Sequence, residues 1–288
     1  GGGIFGLACA WEMTRRGARV RLVERDRIGA GASGGVVGAL APHAPERWTP
    51  LKAFQLDSLL AQEAFWAEVA AAGGGDPGYA RTGRLQPVAD AAALARAEAR
   101  VEEAALNWGT AAAWRVIPAA EAGDWPPASA TGWLVHDTLS ARLNPARACA
   151  GLAAALRARG AEIVEGGGDP GSGPVLWATG AAGLAALSEA TGRPAGRGVK
   201  GQAALLRLDR ADAPQLYADG LHVVPHADGT VAIGSTTERD YSDPHATDAQ
   251  LDAVIARARA AVPALADAPV LARWAGLRPR ARSRAPML

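Results

Sequence analysis

Gly1-Gly2-Gly3-Ile4-Phe5-Gly6 opens the chain and decides its reading. Glycines at the first, third and sixth places form a G-x-G-x-x-G loop. Ile4, Leu7, Ala8 and Trp11 then recur at helical spacing as far as Gly17, a residue suited to the position just past a helix end. Ala18 to Val23 alternates, with Val20 and Leu22 inward and Arg19 and Arg21 outward, and leads to Glu24. In such an order one glycine makes the tight turn, one lets the backbone approach phosphate oxygens, and one lets helix and strand pack closely. The free N–H groups and the dipole at the helix start both favour a diphosphate, and an acid about 20 residues on binds ribose hydroxyls. Glu24 stands eighteen residues beyond Gly6, so the stretch predicts dinucleotide binding. The plainer alternative is a glycine-rich turn with a surface glutamate. The strand expected to lead into the loop would precede residue 1, so the chain reads as beginning inside its first strand–helix unit.

Size and composition leave room for more than this unit. The chain has 288 residues, enough for two domains, with 49% hydrophobic and 20% charged residues, as in soluble globular proteins. A net charge of +1 recruits it neither to nucleic acid nor to anionic lipid. No apolar run reaches the ~18 residues of a membrane span, and no signal peptide is visible. Cys9 and Cys149, the two cysteines, both fall in helical patterns and read as buried reduced thiols, which suits the cytoplasm.

Further along, a Gly/Ala/Ser loop runs from Gly29 to Gly38. Helices are predicted over about Leu51 to Ala71, over Ala91 to Trp108, and from Asn144-Pro145 to Arg159. That last start pairs an N-cap side chain with proline at the first helical position. Strands are predicted at Arg84 to Val88, Thr131 to Val135, Ala161 to Glu165 and Val175 to Ala178. Three more, at Leu205 to Leu208, Leu221 to Pro225 and Val231 to Ile233, read as antiparallel, with Asp228-Gly229 turning the last hairpin. Thr247 and Gln250 read as a capping box before a helix carrying Leu251, Val254, Ile255 and Ala258. A helical block and a β-rich block thus interrupt a helix–strand alternation, which predicts an α/β nucleotide domain with an α+β domain inserted into it.

Seven stretches in order resemble the FAD-dependent D-amino-acid oxidase/glycine oxidase superfamily. They are GGGIFGLACAWEMTRRGARVRLVERD, GAGASGGVVGALAP, LNPARACAGLAAALRARGAEI, VLWATG, VKGQAALLRL, HVVPHADGTVAIGST and WAGLRPRARSRAPML. The resemblance implies an FAD-binding Rossmann-like domain formed by residues 1–50, 138–197 and 271–288. It implies an inserted substrate domain with a mixed or antiparallel sheet, formed by residues 51–137 and 198–270. It implies FAD held by Gly1, Gly3, Ile4, Phe5, Gly6, Glu24 and Arg25, with the flavin against Gly31, Ala32, Ser33, Gly38, Ala39 and Leu40. Family members continue past the position of Leu288 and carry several strands where this chain has a Gly/Pro turn between Glu165 and Val175, so the resemblance reads the chain as truncated at both ends.

What the resemblance implies chemically is oxidation of the carbon–nitrogen bond of a small amine or amino acid, such as glycine or a D-amino acid. The flavin takes a hydride, and no side-chain acid or base is required if the amine enters neutral. Arg278, in Gly276-Leu277-Arg278-Pro279, matches the family's carboxylate clamp, a role for which the planar guanidinium fork is suited and a lysine is not. His222 stands where amino-acid oxidases often carry a tyrosine near the substrate, and His43 follows the flavin loop. The alternatives are a tRNA wobble-uridine carboxymethylaminomethyl oxidoreductase, favoured by the run Arg273, Arg278, Arg280, Arg282 and Arg284, and a fragment poor in cofactor and without turnover. Two other patterns carry less. Gly31-Ala32-Ser33-Gly34-Gly35 satisfies G-x-S-x-G but lacks the strand that must run into a nucleophile elbow. His222 and His226 lie four residues apart on a strand, about 13 Å, too far for one metal ion.

Overall fold

The computed structural model describes residues 1–283. In chain order the first half holds α1 (Ile4–Arg15), β1 (Arg21–Val23), β2 (Ala39–Leu40), α2 (Pro50–Leu60), α3 (Gln62–Val69), β3 (Arg84–Pro87), α4 (Ala91–Trp108), β4 (Trp114–Pro118), β5 (Trp133–Asp137) and β6 (Ala141–Arg142). The second half holds α5 (Pro145–Ala158), β7 (Glu162–Val164), α6 (Gly180–Thr191), β8 (Gly196–Arg207), β9 (Gln215–Ala218), β10 (Leu221–Pro225), β11 (Thr230–Gly234), α7 (Ala249–Ala261) and β12 (Val270–Ala281). Together they make an α/β Rossmann-like domain into which a mixed, mostly antiparallel sheet domain is inserted, the fold class that the sequence predicts.

The Rossmann-like side is small. β1 and β7 pair in parallel, Arg21 beside Glu162 and Val23 beside Val164, and α1 and α5 pack over them through Leu7, Ala10, Trp11, Leu152 and Leu156. Gly17 ends α1 at φ +84°, the left-handed conformation that only glycine adopts at little cost. Asn144 accepts from Arg147 N at 3.1 Å and Pro145 opens α5, as predicted.

The inserted domain is one sheet of eight strands in the order β12-β8-β11-β10-β9-β3-β5-β4. Only the β3–β9 contact is parallel. One face is apolar: Leu206, Leu216, Leu221, Val223, Val231 and Ile233 are buried under Leu251, Val254, Ile255 and Ala258 of α7. Strand residues alternate between faces, so the neighbours of these residues form the other face. That face carries Arg84, Gln215, His222 and His226, and it turns toward the loop of residues 31–40.

Several elements differ from the prediction, each for a local reason. The single helix over Leu51 to Ala71 is two, α2 and α3, meeting at Ala61 and leaving helical geometry at Gly73, φ +89°. Its start is set by Thr49, whose side chain accepts from Lys52 N. The strand at Thr131 begins two residues later, because Gly132 takes φ +75° and the Thr131 hydroxyl donates to Val88 O, which makes both part of a turn. Val175 to Ala178 is no strand: among the described residues no neighbouring strand shares its hydrogen bonds, and Trp177 is 74% exposed. The Leu205 to Leu208 strand is the end of a twelve-residue one, β8, whose glycine- and polar-rich first half is held by β12. Asp248, not Thr247, caps α7, accepting from Gln250 N at 2.9 Å. β2, β4, β6, β9, β12 and α6 have no counterpart in the sequence reading.

Candidate functional site

The six opening residues fold into a turn that works through its glycines. A Cβ on Gly1 would overlap the carbonyl of Ala178, and one on Gly6 would overlap the carbonyl of Gly1. Gly3 is the N-cap of α1 and offers no side chain to it, so the first N–H groups of the helix have no intrahelical acceptor. Ser33 supplies one acceptor from 29 residues away: Ile4 N donates to its Oγ at 3.0 Å. Phe5 is 71% exposed beside this turn. The Glu24 carboxylate lies at the mouth of the turn, accepting from Gly2 N and, at 3.0 Å, from Asp26 N. Arg25 reaches past it to Asp26. A helix start ringed by glycines, with a carboxylate at its mouth, suits the diphosphate and ribose of a dinucleotide.

The next loop crosses from this turn to the large sheet. Ala32–Gly34 is one 3-10 turn, and space lies open where a Cβ on Gly31 would point. No strand runs into Ser33, which therefore has a capping contact rather than a nucleophile elbow. Gly38 packs on the carbonyl of Leu143, and Ala39 and Leu40 pair with Arg142 and Ala141. Three residues of the sheet reach back. His226 Nε2 lies 2.9 Å from Val36 O, Gln215 Nε2 donates to Leu40 O at 3.1 Å, and the Trp274 ring lies against Gly35.

On that same face His222 sits on β10 and Arg278 on β12, with β11 and β8 between them. His222 is opposite Tyr217, ring centroids 4.9 Å apart, and among the described residues its buried Nδ1 has no hydrogen-bond partner. Burial, and then the nearby Arg84 charge, push its pKa down to about 4, so the ring is neutral at ordinary pH. Arg84 is itself held by the fully buried Asp137 at 3.0 Å, whose other oxygen accepts from Ser140 N at 2.8 Å. Arg278 lies across Gly201, and its Nη2 donates to Thr236 O at 2.7 Å and Thr237 Oγ1 at 3.1 Å. Partial burial and the neighbouring Arg280 lower its pKa, opposed by Glu238, but a guanidinium stays charged. Among the described residues no carboxylate lies within ion-pair distance of Arg278.

Two groupings thus emerge: residues 1–6 with Glu24 and Ser33 around one turn, from which 34–40 lead to the sheet, and His222 and Arg278 on one sheet face. His222 and Arg278 do not touch each other. His43 is exposed and bound to Gln55. Of the late arginines, Arg273 is paired with Asp252, and Arg284 lies outside the described residues. Cys149 is buried, its thiol pushed up to about 11 by burial alone, while Cys9 is only partly buried. Sequence reading missed Arg84, Asp137 and Gln215, whose partners are tens of residues away. Lys200 and Gln202 carried a usable signal: polar residues two apart in a strand share one face.

Comparisons with known proteins bear on the family and the fold. The family model described as "DAO: FAD dependent oxidoreductase" matches residues 1–288. Glycine oxidase of Pseudomonas aeruginosa is 28% identical over 309 residues, spanning 97% of this chain and 81% of that protein. The crystal structure of glycine oxidase from Geobacillus kaustophilus superposes with a TM-score of 0.84 at 23% identity, covering 100% of this chain and 83% of that one. Iminodiacetate oxidase from Chelativorans sp. BNC1 gives 0.86 at 21% identity, covering 98% and 83%. At such identities the two structural likenesses speak for the fold. Among the described residues no helix is long and apolar enough to cross a membrane.

Proposed function

This chain belongs to the family of FAD-dependent oxidoreductases, and on that premise we propose that it oxidises the carbon–nitrogen bond of a small carboxylate-bearing amine, glycine or a D-amino acid. FAD, when bound, supplies the acceptor for the hydride that leaves the carbon next to nitrogen. Gly1, Gly3, Ile4, Phe5 and Gly6 would hold its diphosphate and Glu24, with Arg25 beside it, its ribose. Gly31, Ala32, Ser33, Gly38, Ala39 and Leu40 would line the flavin. In this reading residues 1–50, 138–197 and 271–288 serve the cofactor, and residues 51–137 and 198–270 serve the substrate.

Arg278 binds the substrate carboxylate and so points the reacting carbon. The neutral His222 offers one ring nitrogen as a hydrogen-bond partner without adding a charge that would repel an ammonium. No side chain is assigned as a base. Two free cysteines, one of them buried with a raised pKa, suit a reducing compartment, and the cytoplasm is part of the reading.

The observation that carries the proposal is the Arg278 guanidinium: exposed, on the sheet face that meets the loop of residues 31–40, and without a carboxylate partner among the described residues. Arg278→Met tests it. Loss of a charge-assisted hydrogen bond costs about 1.5–3 kcal/mol, so kcat/KM for glycine is expected to fall about ten- to a hundredfold. An amine without a carboxylate is expected to lose little. Equal loss for both would remove the clamp from the account.

A further inference from the structure

Behind Arg278, on the opposite face of β8, lies a set of polar side chains that the chemistry above does not use, with Lys200, Gln202 and Glu238 buried and Asp248 at the exposed rim. Lys200 is 3% exposed and Gln202 0%, and both point away from Gly201, the residue between them. The Lys200 ammonium lies 3.6 Å from Glu238 Oε2 and 3.6 Å from Asp248 Oδ2. Gln202 Nε2 donates to Glu238 Oε1 and to Asp248 Oδ1, both at 2.9 Å, and Gln202 Oε1 accepts from Asp248 N at 2.9 Å. The Thr236 hydroxyl donates to Glu238 Oε1 and accepts from Gln202 N. Backbone bonds join the same partners: Lys200 N to Glu238 O at 3.0 Å, Glu238 N to Lys200 O at 2.9 Å, and Thr236 N to Gln202 O at 3.2 Å.

The segment 236–238 is therefore fixed to β8 from one side, while on the other it supplies both acceptors that Arg278 uses. Arg278 reaches them from β12 by crossing β8 at Gly201. A Cβ there would lie 3.2–3.3 Å from the Nε, Cζ and Nη2 atoms, tighter than an ordinary contact, so a larger residue at 201 would displace the guanidinium by a few tenths of an ångström. Buried charges bring little net stability against apolar side chains of the same size, but a fully satisfied network holds one geometry. Among the described residues, the side chain that the far side of this segment holds is Arg278.

We propose that Lys200, Gln202, Glu238 and Asp248 form a positioning network. It sets, through Thr236 O and Thr237 Oγ1, the direction in which Arg278 presents its guanidinium to the substrate carboxylate. The inference rests on the clamp role of Arg278 proposed above. None of the four touches substrate; they act through Arg278.

The test is a coupling measurement in the FAD-loaded protein, with acetate as the probe. Its dissociation constant is read by calorimetry for Thr237→Val and Lys200→Met, each alone and each combined with Arg278→Met. Each single variant is expected to weaken acetate about three- to tenfold. Neither is expected to weaken it further once Arg278 is gone. Thr237→Ser, which keeps the hydroxyl, is expected to restore the original constant, and glycine KM should rise in Thr237→Val with kcat little changed. Thr237→Val removes an exposed-side acceptor only, so it remains informative if Lys200→Met does not fold. If Arg278→Met alone leaves acetate binding unchanged, the clamp falls and this network role falls with it. If Arg278→Met weakens acetate while Thr237→Val has no effect, or the same effect with and without Arg278, the clamp stands and the positioning role alone is overturned.

Discussion

The two ends of the site are built by different means. At the nucleotide end the contacts are backbone on backbone. Gly1 meets Ala178, Gly6 meets Gly1 and Gly38 meets Leu143, and the side chains are mostly absent. On the substrate face the geometry comes from side chains: Arg84 on Asp137, Gln215 on Leu40 and Ala141, His226 on Val36, Arg278 on Thr236 and Thr237. The first kind of site tolerates no added atom. The second tolerates no lost partner. Substitutions that add or remove should therefore act oppositely at the two ends.

The largest effect is expected where a buried partner is removed. Asp137→Ala leaves the Arg84 charge unpaired beside His222 and should cost about 3–5 kcal/mol of stability, read as a shift in a urea melt. Replacing both, Arg84→Met with Asp137→Leu, should recover most of that loss. If the single variant is no less stable than the double, the substrate face is not held by this pair.

Next comes pH. His222 is neutral when folded, with its pKa at about 4 against an ordinary 6.5. Between those values the unfolded chain binds the extra proton, so the stabilising contribution is whole above pH 6.5 and is lost as pH falls toward 4. The full contribution is at most about 3.5 kcal/mol. His222→Gln should flatten that part of the stability–pH curve, and parallel curves for the two proteins would show that the ring is not shielded as described.

An added atom at the nucleotide end comes third. Gly6→Ala forces the Gly1 carbonyl away and is expected to cost about 1–3 kcal/mol and to abolish FAD retention, measured by the flavin absorbance of the purified protein. The smallest effect sharpens the contrast. Gly31→Ala meets open space and should leave fold stability within about 0.5 kcal/mol in the same melt.

The same contrast explains what could be read without coordinates. The turn from Gly1 to Gly6, the end of α1 at Gly17 and the acid at Glu24 lie within one short stretch, and glycine placement announces close backbone approach. Asn144-Pro145 and Ala91 to Trp108 are likewise local signals, a cap and a helical period. The substrate face joins residues 53, 74, 175 and 190 apart, which no window of sequence shows. Strand formation failed the reading in both directions for one reason. Gly196 to Gln202 is not predicted as a strand and is one because β12 pairs with it, while Val175 to Ala178 looks like a strand and has no strand beside it among the described residues. Thr247 lost the cap to Asp248 because Gln202 and Lys200, far back in the chain, hold that carboxylate in place. Membership of the oxidase superfamily was legible because its stretches keep their order even where single motifs are weak.

One measurement bears most directly on the whole account. The purified protein, saturated with FAD and freed of excess, is mixed with glycine and with a panel of D-amino acids without oxygen, and the visible flavin band is followed. A yellow protein whose band bleaches with at least one of these carboxylated amines, and far more slowly in Arg278→Met, is the predicted result. A protein that keeps no FAD, or whose bound flavin stays oxidised with every carboxylated amine, contradicts it.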